Sequence, residues 1–338
     1  MTGCLVLENQ AQFHPVRYVH GLAAAFTEEG GSIYEHTRVV DVEAGEPCIV
    51  RTARGEVQGT HVVVATRFPI LNRGLMFAKM APMQEYAVAG IIDPARSPRN
   101  MYMSAGSESP SFRTFEDQGN RLLIVVGEKH KVGEGEDEES RYARLASWSA
   151  ARFGVADVRY RWSTHDLWPI DRLPYIGRFG QGEPIYVATG FGGWGMTNGT
   201  VAAVLLRDLI GGTANEWAAL YDPSRRDISH GLKPFVRENV KVAAHWLGDR
   251  LMGATDVDRL GPGEAGIVLQ DGGEHVAVYR DDEGVMHAVS ASCTHLGCLV
   301  GWNEAERTWD CPCHGSRFGI DGEVIAAPAV HPLPSRSM

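Results

Sequence analysis

The sequence has no apolar run approaching the roughly 18 residues that a membrane-spanning helix needs, so no span is expected. It has no basic block either. Lys and Arg number 32 against 42 Asp and Glu, a formal net charge of -10. An acidic chain without a basic stripe is a poor binder of nucleic acid or an anionic membrane surface, and neither is expected as a partner. There are 6 cysteines, too few for a secreted disulfide scaffold. The opening stretch MTGCLVLENQAQFHP lacks the charged and apolar regions of a signal peptide, and a cytoplasmic location is the expectation. No internal repeat is visible.

What is present is ordinary globular composition, 44% hydrophobic and 22% charged. At about 150 residues per domain the length predicts two or three domains. The 39 glycines point to tight turns or to backbone that approaches a ligand closely.

The spacing of apolar residues predicts a helix over 15–29, stopped by Gly30-Gly31. Strands are expected in SIYEHTRVVDVE, PCIVRTARG and THVVVATRF; the last is nearly all apolar, as in a strand covered on both faces. MQEYAVAGII, NMYMSA, SFRTF and RLLIVVG, separated by turn residues, predict a mostly antiparallel sheet. The acidic run 133–139 reads as a solvated loop leading into a helix at 140–153, with a strand at 157–166. PIYVATG reads as a strand, GFGGWG as a turn, and MTNGTVAAVLLRDLI as an apolar helix. Two more helical stretches reach about residue 252, ending in a connector, HWLGDRLMG. From about 255 the chain becomes short strands with Gly, Asp and Asn turns, a small all-β domain.

The densest chemistry lies in that last part. Cys293-Thr-His295-Leu-Gly-Cys298 and Cys311-Pro-Cys313-His314-Gly-Ser316 are two similar loops, with fifteen residues between His295 and Cys311. A [2Fe–2S] centre with one iron on two thiolates and the other on two imidazoles needs two Cys and two His. C-x-H and C-x-x-H supply one of each per loop. A structural zinc site is the alternative, but it commonly pairs its cysteines first and its histidines after.

Residues 260–334 resemble the Rieske iron–sulfur family in the form found in cytochrome-bc complexes. The resemblance implies Cys293 and Cys311 on one iron, His295 and His314 on the other, and a Cys298–Cys313 disulfide. It places a hydroxyl donor to a cluster sulfur at Ser316. It puts Phe318 where high-potential members have a tyrosine, which implies a lower potential. It implies a proline loop over the cluster at Ala327-Pro328-Ala329. Rieske oxygenases resemble this stretch less, because they lack the extra cysteine pair and a mononuclear iron domain follows.

Gly190-Phe-Gly192-Gly193-Trp194-Gly195 fits G-x-G-x-x-G after a strand and before a helix. The dinucleotide fingerprint also needs an acidic strand end about 20 residues on, and none follows. Instead, the first 240 residues resemble the D-amino-acid oxidase-like flavoproteins. HPVRYVHGLAAAFTEEGGSIYEHTRVVDVE, THVVVATRF, Asp171-Arg-Leu-Pro174-Tyr-Ile-Gly177 and GFGGWGMTNGTVAA carry the match. The resemblance implies FAD as cofactor. It assigns Gly192, Gly193, Trp194, Gly195 and Met196 to the flavin ring, Val40 to adenine, and Ala65 and Thr66 to the phosphates or ribose.

Two departures bear on this. The family's first strand, its N-terminal G-x-G-x-x-G and its acidic ribose ligand do not match anything here, so an incomplete FAD domain is expected; Arg67 also stands where a glycine is usual. No arginine precedes Asp171 in His165-Asp-Leu-Trp168-Pro-Ile-Asp171, so a plain amino-acid substrate is not expected. Arg113 as an anion ligand and His165 as a base are weaker readings than a surface arginine and a satisfied strand histidine.

The expectation is an α+β or α/β flavoprotein portion over 1–254, with a substrate-domain sheet inserted at 67–166, and an all-β Rieske domain over 255–338. The function expected is an FAD-dependent oxidoreductase acting on an amine-like small molecule and passing electrons through the cluster to an external acceptor, a quinone or soluble carrier. The alternative is a non-enzymatic electron-transfer protein whose truncated flavin domain binds no FAD. No catalytic residue is singled out, and a homo-oligomer is left open.

Overall fold

The computed structural model describes residues 5–71, 74, 76–103, 110–132, 138–180, 182–225, 255–270 and 272–337. Helix α1 (Pro15–Glu28) forms where the spacing places it. Pro15 suits the first turn because its missing N–H would be unpaired there anyway. His14 caps the helix by accepting from the Arg17 amide.

Strands β1 (Val39–Glu43), β2 (Cys48–Thr52) and β3 (Gly55–Gly59) form an antiparallel meander. The sequence reading runs PCIVRTARG on as one strand. The chain instead turns at Ala53-Arg54, where Thr52 pairs with Gly55 and begins β3.

The second sheet sets the site. Strand β4 (Val62–Val64) pairs in parallel with β10 (Ile185–Thr189), and β9 (Tyr175–Arg178) pairs with β10 from the other side. Every residue of β10 is buried. The two-sided cover expected for β4 is not found. Side chains alternate along a strand, so Val64 enters the core while Val63, 43% exposed, faces a cavity.

Between β4 and β9 the chain leaves to build a four-stranded antiparallel sheet. Its strands are β5 (Met80–Ile91), β6 (Ser111–Asp117), β7 (Asn120–Lys131) and β8 (Val158–Pro169), in the order β6-β7-β5-β8. Of the described residues of NMYMSA, only Tyr102 pairs, in a single bridge to Phe112. The short helix α2 (Met76–Lys79) leads into β5, and α3 (Glu138–Phe153) covers the sheet with Tyr142 and Leu145.

Helix α4 (Gly195–Ile210) follows β10, then the single turn α5 (Ala218–Tyr221). The later helical stretches and the HWLGDRLMG connector fall outside the described residues, as does most of the acidic run; Glu138 and Glu139 open α3.

The C-terminal unit has two antiparallel sheets. One is β11 (Ala265–Leu269), β12 (His275–Arg280) and β13 (Met286–Ser290). The other is β14 (Gly301–Asn303), β15 (Thr308–Asp310), β16 (Arg317–Phe318) and β17 (Val324–Ala326). One core joins them, built on Tyr279, Trp309, Phe318 and four buried cysteines.

This unit is seated on the rest of the chain. Ala327 packs against the core beneath β4 and β10, and Ala305 against the core beneath α3. The Tyr142 hydroxyl donates to the Glu306 carboxylate, and Arg38 donates to the Val324 carbonyl.

Candidate functional site

The two cysteine loops have the same backbone design. The Cys293 amide donates to the Cys298 carbonyl at 2.8 Å, and the Gly297 amide returns to the Cys293 carbonyl at 2.9 Å. The Cys311 amide donates to the Ser316 carbonyl at 2.8 Å, and the Gly315 amide returns to the Cys311 carbonyl at 3.0 Å. Gly297 (φ +74°) and Gly315 (φ +76°) occupy the same place in each loop, in the left-handed region that an L side chain resists. The turn folds each cysteine and histidine back toward the other loop. Cys298 and Cys313 are joined in a disulfide.

Cys293 and Cys311 carry free thiols and are buried. The His295 and His314 rings stand at right angles, 5.0 Å between centroids. The Cys311 sulfur and both disulfide sulfurs lie within 4.8 Å of one another. A sulfur held in a disulfide carries no thiolate to offer a metal, so the donor set that remains is two thiols and two imidazoles. This donor set fits the demand of a two-thiolate, two-imidazole [2Fe–2S] centre.

The electrostatics suit metal binding. The hydrogen bond between Cys293 and Cys311 pulls the Cys293 thiol down to about 7, while it and burial push Cys311 well up. Burial lowers His295 to about 4. Burial, then the neighbouring His295 and Lys131, lower His314 to about 3. Both imidazoles are therefore neutral near pH 7, the form that binds metal. His314 Nδ1 is buried with no hydrogen-bond partner among the described residues, a cost that a metal bond would remove.

The proline loop is tied to the second cysteine loop, because the Ala329 amide donates to Ser316 Oγ at 3.1 Å. Ser316 also hydrogen-bonds Cys293, helping to hold its thiol low. Phe318 is fully buried in the core.

On the flavoprotein side two cavities meet the expected FAD residues. One, about 490 Å³, is lined by Val63, Ala65, Gly192, Gly195 and Gly199 among others. A Cβ placed on Gly195 or Gly199 would meet nothing within 4 Å, so these glycines leave the wall of α4 open on the cavity. The first turn of α4 has no side-chain cap, leaving its amides available to a partly negative group. Both features fit a flat ring with a carbonyl edge. Arg67 and Asp166 are the two charged residues of this lining.

The second cavity, about 930 Å³, is lined by Thr66, Arg67, Arg38 and Val39 from the flavoprotein side and by Arg317, Ala326 and Ala327 from the C-terminal unit. Val40 lies on β1 beside Val39 and is partly buried. Gly193, Trp194 and Met196 line neither cavity; Trp194 is 57% exposed.

Arg67 belongs to both cavities. It has φ +62°, which accounts for glycine being usual at this position in the family resembled. Its guanidinium donates to the His165 carbonyl at 2.8 Å. The His165 ring in turn accepts from Arg317, whose guanidinium also holds Asp310 through Nε and Nη2, both at 2.9 Å. His165 is thus a satisfied interface residue. Arg113 is exposed and lines neither cavity. Asp171 of the D-x-x-P stretch pairs with Arg225 at 2.7 and 2.9 Å and braces the turn into β9.

The sequence reading missed what lies against the histidines. The Phe68 ring is 6.3 Å from both His295 and His314, and the Phe77 ring is 5.6 Å from His314, all edge to face. Nothing in the local sequence marks either phenylalanine; both are ordinary apolar residues of a strand exit and a short helix.

Two known families match different parts of the chain. The sequence matches the family described as FAD dependent oxidoreductase over residues 1–209, and the Rieske [2Fe-2S] domain over 253–337. YhfW of Bacillus subtilis (strain 168), named as a Rieske 2Fe-2S iron-sulfur protein, is 38% identical over 333 residues, covering 97% of this chain and 65% of that protein. Gamma-glutamylputrescine oxidoreductase of Escherichia coli (strain K12) is 25% identical over 229 residues, 64% of this chain and 52% of that protein. Among solved structures, glycine oxidase from Geobacillus kaustophilus aligns with a TM-score of 0.51 at 19% identity, covering 61% of this chain and 57% of that one. The chain thus spans between half and two thirds of the length of these relatives.

Proposed function

The chain belongs to the FAD-dependent oxidoreductase family and carries a Rieske [2Fe-2S] domain, and from this we propose that it oxidises an amine-like small molecule at a flavin and sends the electrons out through the cluster. On this reading the two units divide at 254/255. FAD supplies a two-electron acceptor and the cluster a one-electron carrier. Cys293 and Cys311 are the proposed ligands of one iron, and His295 and His314 of the other. Val40, Ala65, Thr66 and the turn from Gly192 to Met196 are the proposed FAD contacts.

The observation that carries the reading is Arg67. It lines the cavity beside α4 and also holds His165, which holds Arg317 of the cluster-bearing unit. One short loop therefore forms a wall of the flavin-side cavity and a wall of the cluster site. An electron-transfer module with an idle flavin domain would have no need of that shared wall or of an open glycine face on α4. In the α4 cavity Asp166 offers a carboxylate to a cationic group, which suits an amine substrate. The named substrate of the Escherichia coli relative, gamma-glutamylputrescine, belongs to the same chemical class.

The test is anaerobic. Candidate amines are added to the purified protein, and the flavin absorbance and the electron paramagnetic resonance signal of the reduced cluster are followed together. The reading expects bleaching of the flavin accompanied by growth of the cluster signal. A flavin that bleaches while the cluster stays oxidised would contradict it.

A further inference from the structure

An imidazole edge left open to solvent could meet an external acceptor directly. Here the two imidazoles differ: His295 is half-buried, while His314 is 4% exposed and Phe68 beside it 2% exposed. The phenylalanine edges meet both imidazoles from the flavoprotein side, at 6.3, 6.3 and 5.6 Å between centroids. Phe68 belongs to the core beneath β4 and β10, together with Leu71, Met76 and Met80, and the partly buried Phe77 packs against that core. Ala327 of the C-terminal unit packs against the same core.

The wall is also held in place. Thr66 Oγ1 donates to the Phe68 carbonyl at 2.7 Å, Thr189 Oγ1 donates to the Arg67 carbonyl, and Arg67 is fixed to His165. The first two bonds hold the backbone carbonyls of Phe68 and Arg67 and the third holds the Arg67 side chain, so Phe68 has little freedom to swing aside. A close-packed apolar contact of this kind holds no water.

We propose that Phe68 and Phe77 close the His314 side of the cluster site to solvent and to external redox partners, and turn that side toward the flavoprotein unit. The inference rests on the ligand assignment under Proposed function. Phe68 is then a positioning residue: it fixes the distance and the dryness between the two centres without touching a reacting atom. A quinone or carrier outside the chain has to reach the cluster from another side.

The experiment uses the cluster-loaded chain, reduced with dithionite and exposed briefly to D₂O. Electron spin-echo modulation reports deuterons close to the cluster and needs neither flavin nor turnover. The native chain sets the reference depth of deuteron modulation, to which the half-buried His295 contributes. Phe68→Ala is expected to deepen it severalfold, and Phe68→Leu, which keeps an apolar cover, to leave it near the native level. Phe77→Ala serves as a second opening should Phe68→Ala lose its cluster. The same depth in the native chain and both alanine variants would overturn the closed His314 side while leaving the ligand assignment intact. A native chain with iron but no Rieske signal would overturn the ligand assignment itself, and this inference with it.

Discussion

Arg317 on β16 donates from Nη2 to Nε2 of His165 on β8 across 3.1 Å, and both side chains are buried. The residues are 152 apart in sequence. The same guanidinium holds Asp310 through two bonds, so one arginine pins a buried carboxylate of the C-terminal unit and a buried imidazole of the substrate sheet. Gly315, next to His314, sits against this pair: a Cβ there would lie 3.0 Å from Pro82 and 3.5 Å from His165. The histidine that seats the two units thus lies beside the second cysteine loop.

That contact makes stability depend on pH. Burial, then the charge of Arg317, lowers His165 from 6.5 to about 4. The unfolded chain therefore binds a proton between pH 6.5 and 4 that the folded chain refuses. Stability is full above pH 6.5, falls as pH drops, and stops falling on this account below about 4. The whole effect is of order 3 kcal/mol. Urea unfolding followed by tryptophan fluorescence across this range should show the slope. His165→Leu should flatten it and cost about 1–3 kcal/mol at pH 7, because Arg317 loses an acceptor.

The proposed ligands are individually indispensable. Cys311→Ser and His314→Gln should each abolish the Rieske electron paramagnetic resonance signal. Survival of that signal unchanged in either variant would mean that the residue is not a ligand.

The disulfide ties the two loops but offers no ligand. Cys298→Ser should leave a cluster that forms and is then lost faster, read as the decay of visible absorbance in air. Closing a loop of 15 residues is worth about 3 kcal/mol. An equally long-lived cluster would show that the loops are held without the bond.

Filling the glycine wall should exclude flavin while sparing the fold. Gly199→Leu gains about 0.8 kcal/mol in helix propensity, and its side chain enters the cavity beside α4, where a Cβ meets nothing. The FAD released on denaturation should fall sharply, with unfolding unchanged or shifted to higher urea. Undiminished FAD would place the ring elsewhere.

How far the sequence reaches follows from distance along the chain. The two cysteine loops are legible because every donor lies within one short stretch and each turn has its glycine in place. The strand–turn–helix at 185–210 is legible for the same reason. β3 is not, since Glu-Val-Gln between glycines has no apolar alternation and pairs only because the turn at Ala53-Arg54 folds it back on β2. The cover on β4 was overstated because the run of valines does not say which face meets a cavity. Phe68, Phe77 and the His165–Arg317 contact are invisible for a deeper reason. They act across the interface of two units, and no periodicity or spacing encodes a partner so far away in the chain.

The central claim is that flavin and cluster share this chain. The most direct measurement is to denature the purified protein and quantify FAD, iron and acid-labile sulfide together. The account predicts close to one FAD for about two irons and two sulfides, the composition of one flavin beside one [2Fe–2S] centre. Iron and sulfide in that ratio with no FAD would contradict it, and would leave the chain an electron-transfer protein alone.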